Sequence, residues 1–180
     1  MGDSMSSVVI SGNTSGAVTL DVPAVAGTNT VTIAAQTGTL NAAGPAFSAY
    51  NTAGQSTTAN VTTKLQFNLE TFDTNNCFDS TTNYRFTPTV AGYYQLNCLV
   101  FQGSINMQMI LQLYKNGSLY QEMARQYTVS PNGSSSGSCL VYANGSTDYF
   151  EVYVATSSNA SLGAGAAPYF WFSGSLVRGA

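Results

Sequence analysis

Hydrophobic and polar residues alternate along most of the chain from residue 47 onward, in short stretches separated by Gly, Asn, Ser and Pro. A period of two places successive side chains on opposite faces of a strand. The stretches are rich in Tyr, Val, Phe and Thr, which favour strands. Many short strands with regular turns predict a sandwich or a barrel. The predicted strands lie in PAFSAYN, VTTKLQFNLETFD, YRFTPT, GYYQLNCLVFQG, MQMILQLYKNG, SLYQEMARQYTV, GSCLVYANG, DYFEVYVAT and PYFWFSGSLV.

Asn-Gly pairs predict the turns, and alternating glutamines decide between helix and strand in one ambiguous segment. The dense apolar residues of MQMILQLY also fit a helical turn, but Gln108 and Gln112 at alternate positions favour a strand. An Asn-Gly pair between two strands is the strongest short-range hairpin signal, and one such pair separates LQLYK from SLYQE. The Asn-Gly pairs lie at residues 116–117, 132–133 and 144–145.

Residues 1–44 differ from the rest of the chain because they contain no aromatic residue. Two alternating stretches, AVTLDV and TVTIAA, each predict one strand. A two-stranded unit is marginally stable in water, so we expect this part to be ordered by a partner or by its own copies. The predicted organisation is an N-terminal attachment or stem segment, 1–44, followed by a globular head, 45–180.

The composition narrows the possible partners. Only 7% of the residues are charged and the net charge is −3, which argues against nucleic acid as a partner. No apolar run reaches the length needed to span a membrane, and the first residues lack the basic and apolar regions of a secretory signal. A surface with so few charges is easier to keep soluble when much of it is buried in an oligomer.

The reactive residue types predict no catalytic centre. The chain has no histidine, which excludes Ser-His-Asp and Cys-His arrangements. Cys98 and Cys139 lie in apolar strands and are predicted as core residues, whereas Cys77 lies in a polar stretch and is a candidate surface thiol. Three widely spaced cysteines form neither a disulfide framework nor a zinc motif.

The acidic residues leave two minor alternatives open. Glu70 and Asp73 bracket one end of a strand, where a carboxylate pair for glycoside cleavage is imaginable, although solvated edge and turn residues explain them better. The segment DTNNCFDS, 73–80, offers oxygen ligands to calcium, but turns capped by Asp and Asn side chains explain it better. We therefore expect no enzyme activity, no cofactor and no metal site. The acidic residues are Asp3, Asp21, Glu70, Asp73, Asp79, Glu122, Asp148 and Glu151.

The stretch YRFTPTVAGYYQLNCLV combines a proline corner with an aromatic strand. Pro88 fixes its own φ and has no N–H, so it suits a corner or a strand edge. We expect Gly92 to adopt a turn conformation that other residues avoid. Tyr93 and Tyr94 then begin a strand on opposite faces.

This stretch closely resembles the signature of the C1q globular head family, a branch of the TNF-like jelly rolls. Other segments resemble that family in the same order, so the resemblance covers about residues 45–178. Two departures are Gly145-Ser146-Thr147-Asp148 in place of the usual Gly-Asp pair, and Ser175 in place of an aromatic residue. The matching segments are PAFSAYN, KLQFN, LQLYKNGSLY, ANGSTDYFEVYV and YFWFSGSLV.

The resemblance implies a ten-stranded jelly-roll β-sandwich that assembles as a threefold homotrimer. Both faces of strand 169–177 are apolar at its start, a pattern that favours burial in a subunit interface. A central strand covered by its own loops is the alternative. The candidate trimer-interface residues are Phe47, Tyr50, Tyr94, Phe170, Phe172 and Leu176.

The segment NTSGAVTLDVPAVAGTNTVTIAAQTGTL resembles a recurring segment in structural proteins of tailed phages and prophages. The resemblance implies attachment to other virion proteins through this segment. An animal member of the C1q family would be expected to carry a signal peptide, and often a collagen-like stem, and the sequence shows neither.

We therefore predict a virion protein, assembled in the host cytoplasm, that forms a trimeric fibre or spike tip and binds a host surface glycan or protein. Polar loops at 130–137 and 156–168, with aromatic stacking from strand ends such as Tyr127 or Tyr153, would supply the contacts. Alternatives are a purely architectural decoration of capsid or tail, a secreted C1q-like recognition protein, and a fibre-borne glycan depolymerase.

Overall fold

The computed structural model of the chain describes residues 8–11, 15, 17–20, 44–103, 106–129, 133–163 and 169–180. The chain divides into two compact units, Met1–Thr37 and Gly38–Ala180. The predicted boundary after residue 44 stays a prediction. No helix in the described part of the chain is long and apolar enough to cross a membrane.

The N-terminal unit contains an antiparallel pair of strands, β1 (Val8–Ser11) and β2 (Ala17–Leu20). Val8 is opposite Leu20 in the register of this pair. Strand β2 lies within the predicted stretch AVTLDV, whereas β1 was not predicted. The predicted stretch TVTIAA lies outside the described residues.

The larger unit is a sandwich of one seven-stranded and one six-stranded sheet, which confirms the all-β jelly-roll prediction. A count of ten strands is not confirmed, because several segments of two or three residues also pair in the described ranges. The strands are β3 (Ala46–Tyr50), β4 (Gln55–Thr57), β5 (Thr63–Lys64), β6 (Leu69–Asp73), β7 (Phe78–Asp79), β8 (Arg85–Phe86), β9 (Gly92–Gln102), β10 (Met107–Lys115), β11 (Ser118–Thr128), β12 (Gly133–Ala143), β13 (Phe150–Thr156), β14 (Ala160–Leu162) and β15 (Phe170–Gly179).

The first sheet, called sheet I, is built around β9. Strand β12 pairs along one edge of β9, and β15 pairs along the other. Strands β3 and β6 follow β15, so the first and last long strands of the head are neighbours. Strand β14 joins β9 at Gln102, beyond the end of β15, and carries β4.

The second sheet, called sheet II, has the order β11-β10-β13-β8-β7, with β5 also paired to β13. The strand β10, for which a helical turn was the alternative, is confirmed as a strand. Its buried residues Met107, Met109, Leu111 and Leu113 alternate with partly exposed residues, so one face of the strand lines the core. Strand β9 alternates in the same way from the opposite side of the sandwich.

A cluster of phenylalanines joins the two sheets. The Phe47 ring from sheet I stacks on Phe78 and Phe86 from sheet II, with ring centroids 4.9 and 4.4 Å apart. Phe172 from sheet I meets Phe47 edge-on at 5.0 Å. Offset and edge-on contacts of this kind stabilise aromatic pairs beyond their burial alone.

The hairpin predicted at Asn116-Gly117 is confirmed between β10 and β11. Both residues have positive φ, 53° and 78°, which is the conformation of a two-residue turn that follows the strand twist. The pair Asn144-Gly145 does not form a hairpin, because β12 and β13 lie in different sheets. There the Asn144 side-chain oxygen accepts three backbone N–H groups, from residues 146 to 148, and shapes a longer connection.

Two further predictions about strand limits are wrong. VTTKLQFNLETFD is two strands, β5 and β6, in different sheets, because the chain crosses the sandwich between them. Residues 133–137 were assigned to a polar loop, but they begin β12 and pair with β9 from Gly133 opposite Gln102. Residues 130–132 lie outside the described ranges.

The corner before β9 works differently from the prediction. Gly92 does not have a positive φ; it is a buried strand residue opposite Gly179. A Cβ at this position would lie 2.4 Å from the Arg178 carbonyl oxygen, so close backbone approach requires glycine. Tyr93 and Tyr94 do point to opposite faces, and the Tyr94 hydroxyl donates to the Val90 carbonyl at 2.6 Å.

Replacing Gly92 by alanine is expected to lower the free energy of unfolding by about 2 kcal/mol, because the new methyl group overpacks against the backbone of β15. Gly103→Ala is the control, since nothing lies within 4 Å of that Cβ position. We expect the control to change stability by less than about 0.5 kcal/mol. Urea denaturation followed by tryptophan fluorescence measures both variants, and equal losses would contradict the explanation.

Candidate binding surfaces

The structure places most of the predicted trimer-interface residues in the interior. Phe47, Tyr94, Phe170 and Phe172 are at most 1% exposed within a single chain. Their side chains pack between the two sheets, so a second chain would have to contact other residues of sheet I. The prediction that sheet I faces a neighbouring subunit is a separate one, and it stays a prediction.

The remaining two candidates lie nearer the surface. Tyr50 is partly exposed on the outer face of sheet I, opposite Trp171 on the neighbouring strand. Leu176 is partly buried and packs against the edge of the core. Strand β15 therefore buries its Phe170 and Phe172 face in its own sandwich and presents its Trp171 face outward. An apolar pattern on both faces could not show which side the chain itself covers.

The outer face of sheet I carries a row of large side chains across four strands. Leu69, Tyr50, Trp171 and Leu99 are opposite one another on β6, β3, β15 and β9. None of these residues is charged, and Leu69 is 45% exposed. Exposed apolar rows on a sheet face mark contact surfaces more often than free surface.

The centre and the far end of this face complete the pattern. The next row begins with Phe72 on the edge strand β6 and continues with Ser48, Ser173 and Asn97, which are small or polar and uncharged. At the far end, Tyr93 and Tyr142 lie with ring centroids 5.5 Å apart. We call this whole surface the sheet I face; its outward-facing residues are Ser48, Tyr50, Leu69, Phe72, Tyr93, Gln95, Asn97, Leu99, Leu140, Tyr142, Trp171, Ser173 and Ser175.

The outer face of sheet II has a different chemistry. Tyr114 on β10 and Tyr153 on β13 stack with ring centroids 4.0 Å apart. Beside them, Lys64 of β5 forms an ion pair with the buried Glu151 of β13 at 2.5 Å. The Tyr153 hydroxyl also donates to Glu151, at 3.3 Å. We call these four residues the tyrosine cluster.

The surroundings of Tyr153 in this cluster raise the pKa of its hydroxyl. Burial, followed by the neighbouring Glu151 carboxylate, raises the pKa of Tyr153 to about 12. The hydroxyls of Tyr114 and Tyr149 raise the pKa of Tyr153 further. Tyr149 is itself covered by the Arg85 guanidinium, 4.4 Å from the ring centroid.

A second ion pair on this face follows from a bulge. The pairing of β10 with β11 shifts between Leu111 and Gln112, so Met123 is an extra residue on β11. Glu122 and Arg125 then point to the same side and form two hydrogen bonds, at 2.9 and 2.7 Å. The charges of Glu122 and Arg125 are therefore neutralised locally.

A third ion pair secures the hairpin loop. Lys115 contacts Asp148 at 2.8 Å, and the Asn116 amide donates to the same carboxylate. The pKa of Asp148 is lowered: burial opposes its ionisation, but the hydrogen bonds from Asn116 and Lys115 outweigh this effect. The carboxylate therefore holds the turn after β10 against the loop before β13.

The segment proposed as a calcium alternative uses its carboxylates for its own backbone. Asp73 accepts the N–H groups of Asn75 and Phe78. Asp79 accepts the N–H groups of Thr81, Thr82 and Asn83. This arrangement agrees with capped turns rather than with a cation cage. Across the described ranges no three His, Cys, Asp or Glu residues group together as metal ligands.

The cysteines are structural. Cys98 and Cys139 are buried, as predicted, and burial raises the pKa of both thiols, that of Cys139 to about 11. Cys77 was a candidate surface thiol, but this is wrong, because it is only 3% exposed. Its sulfur lies 3.5 Å from the Thr89 hydroxyl, so a polar sequence surrounding did not mean an exposed position.

Sequence reasoning missed most of the tyrosine cluster. It named Tyr153 as a strand-end aromatic, but not Tyr114, Lys64 or Glu151. Alternation along β10 was the available signal, since it places Tyr114 on the same outward face as Gln112. The proximity of Tyr114 to Tyr153 depends on the register of two strands that are distant in the chain.

Replacing Asp79 by asparagine is expected to make stability less dependent on pH in acid. Hydrogen bonds, led by the Thr82 N–H, hold the pKa of Asp79 well below its ordinary value of 3.8. The unfolded chain therefore binds the proton first, and the stabilisation is complete above pH about 4 and lost as pH falls further.

Acid denaturation of Asp79→Asn and wild type between pH about 5 and 2 measures this effect. Glu70→Gln is the control, because this carboxylate is exposed on β6. An acid limb of the stability profile that is as steep in Asp79→Asn as in wild type would refute the assignment.

Comparison with known proteins supplies the family. The family model for the C1q domain matches residues 46–177. The globular domain of zebrafish complement 1qA is 19% identical, with a TM-score of 0.55 over 76% of this chain and 99% of that one. Murine APRIL is 12% identical, with a TM-score of 0.55 over 74% of this chain and 98% of that one.

A TNF from S. frugiperda, Eiger, shares the same fold at lower identity. It is 10% identical, with a TM-score of 0.52 over 76% of this chain and 92% of that one. No curated protein sequence matches the chain. The match of the family model over most of the head, together with two sheets in jelly-roll order, shows that the chain belongs to the C1q domain family.

Proposed function

We propose that this chain forms a homotrimeric, non-enzymatic adhesion head on a phage virion. The observation that carries the proposal is the sheet I face, which is broad, aromatic and nearly uncharged in a chain that is already folded around its own core. Three copies that bury this face against one another would present sheet II and the connecting loops to a receptor.

The chemistry of the sheet I face suits a contact between copies. Most of its large side chains lie at the two ends, with Trp171 in one group and Tyr142 in the other, and small polar residues such as Ser173 lie between them, with Phe72 on the edge strand beside them. Interfaces are enriched in aromatic residues and depleted of charges at their centres. Of the predicted interface residues, Tyr50 lies on this face; the buried phenylalanines support it from beneath.

Recognition without catalysis fits the state of the carboxylates. In the described ranges Asp73, Asp79, Asp148, Glu122 and Glu151 each bind a backbone N–H or a cationic side chain. Glu70, the other half of the imagined glycosidase pair, is exposed on β6. A carboxylate committed to a turn is poorly placed to exchange protons with a substrate.

The N-terminal segment supports placement on a virion. Its resemblance to phage structural segments and its short antiparallel pair, β1 with β2, fit an attachment role beside a separate head. The proposed location is therefore the tip of a fibre or spike, with the head exposed to the host surface. A protein that only decorates the particle is the outcome to expect if the head binds no cell.

Placing a charge at the centre of the sheet I face is expected to dissociate the trimer. Wild type should show about three times the 18.9 kDa chain mass in light scattering. Ser173→Glu should give a folded monomer, because three carboxylates would be buried without partners. Ser146→Glu, the same change in an exposed loop, is the matched control and should remain trimeric.

Residues 45–180 alone should also form a trimer if the sheet I face drives assembly. If the Ser173→Glu protein remains trimeric, the sheet I face is not the interface. If the wild-type protein is monomeric, the proposal of a homotrimer is wrong.

The virion location and the adhesive role are tested together. An antibody against residues 45–180 should label fibre or spike tips in immunogold micrographs of phage particles. The purified wild-type protein should bind the host cells and reduce phage adsorption by competition. Label found only on cells, never on particles, would contradict the location, and particles labelled by a head that does not bind cells would favour pure decoration.

A further inference from the structure

The tyrosine cluster on sheet II lies on the side of the sandwich opposite the sheet I face. A trimer that buries the sheet I face therefore leaves Tyr114 and Tyr153 exposed to solvent, one set on each subunit. Both rings are partly exposed in the single chain, although they stack on one another. A polar aromatic surface in such a position is available to a receptor.

The cluster combines the groups that bind sugars. Tyrosine rings pack against the apolar C–H faces of a pyranose, and their hydroxyls exchange hydrogen bonds with its hydroxyl groups. The Glu151 carboxylate accepts and the Lys64 ammonium donates, so the pair can bind neighbouring hydroxyls of one ring. The two charges are already paired at 2.5 Å, which leaves the site electrically neutral.

The paired charges of the cluster favour an uncharged sugar over an acidic one. The neighbouring charges of Glu122 and Arg125 are also paired, and Arg85, a further cation beside the cluster, lies over the Tyr149 ring. An anionic ligand would have to break an ion pair or draw Arg85 away from the Tyr149 ring, whereas an uncharged hydroxylated ring leaves these contacts intact.

One buried acceptor strengthens the assignment. The side-chain oxygen of Gln112, directly opposite Tyr153 on the neighbouring strand, is shielded from solvent and has no hydrogen-bond donor in the described part of the chain. Buried acceptors without donors are destabilising. A ligand hydroxyl inserted beside Tyr153 would supply the missing donor.

We propose that the tyrosine cluster of Lys64, Tyr114, Glu151 and Tyr153 is a binding site for a neutral hexose unit of a host surface glycan. The site deepens the proposed adhesive function and rests on it. Specificity comes from aromatic stacking combined with a pre-paired carboxylate and ammonium, and the three copies in a trimer add avidity to a weak single site.

The test uses the labelled 180-residue chain on an array of neutral glucose, galactose and mannose oligosaccharides beside uronate-containing, sialylated and sulfated glycans. We expect binding to a neutral group. The best oligosaccharide is then titrated by calorimetry, where the double variant Tyr114→Ala, Tyr153→Ala should lose affinity about tenfold or more. Tyr153→Phe, which retains the ring and loses the hydroxyl, should lie between the double variant and wild type.

Tyr169→Ala is the matched control. Tyr169 is 56% exposed and directly precedes β15 of sheet I, where its ring packs against Phe101 with centroids 5.8 Å apart, so it belongs to the other sheet of the sandwich. Its removal should change affinity by less than about twofold. Trimer mass and circular dichroism verify folding of each variant. If the double variant does not fold, ring NMR signals of wild type decide, since those of Tyr114 and Tyr153 should shift on titration and that of Tyr169 should not.

Three results would overturn the site: no binding to the array, binding to anionic glycans alone, or unchanged affinity in the double variant. The proposed adhesive function fails separately. Wild-type trimer that binds host cells equally well with and without the two tyrosines keeps that function and loses this site. Trimer that binds neither cells nor the array loses both.

Discussion

Contact between the two sheets depends on the phenylalanine cluster centred on Phe47. Phe47 and Phe172 come from sheet I, and Phe78 and Phe86 come from two short strands at the edge of sheet II. Short strands have few ladder hydrogen bonds, so aromatic packing is what keeps β7 and β8 in place. The corner at Val90 and Gly92 then enters β9 beneath these rings, where Phe86 also meets Tyr94 edge-on at 5.4 Å. The position of β9, and so the register of sheet I, follows from this packing.

The outer faces of the two sheets differ in chemistry and have different proposed roles, assembly for sheet I and receptor contact for sheet II. The core-facing residues of sheet I already fill the interior of the sandwich. Its outer face carries aromatic and small uncharged side chains that the core does not need. Sheet II retains two of the three ion pairs of the described residues, each between close neighbours. A chain with 7% charged residues thus places much of its charge on the side that remains wet in the proposed trimer. A chain with few charges can therefore still expose a polar surface, provided that the trimer buries the sheet I face and leaves sheet II in contact with water.

Much of the fold could be predicted from periodicity, because β9 and β10 alternate between a buried and an open face over nearly their whole length, and β13 does so from Val152 onward. Periodicity does not show a change of sheet, so Leu65 and Phe67 continued an apolar pattern while the chain crossed from one sheet to the other. It also cannot show which of two apolar faces a chain buries itself, which is why Phe170 and Phe172 were assigned to an interface. Residue 92 must be glycine because the backbone of β15 approaches it closely. The tyrosine cluster forms because of the register between β10 and β13. Both features depend on segments that are distant in the sequence, so local patterns could not predict them.

The bulge at Met123 has a consequence for colloidal behaviour. Strand β11 is the outermost strand of sheet II, and eleven residues long, with Leu119 and Tyr120 exposed. Regular edges of that length act as templates for other chains and lead to aggregation. The extra residue interrupts the unpaired backbone groups and places Glu122 and Arg125 side by side at the middle of the edge. A second register shift, at Tyr120, lies nearer the hairpin, so deleting Met123 would leave the half of β11 beyond it as a regular edge. Newly synthesised chains would then partition between correct assembly and open-ended β-stacking.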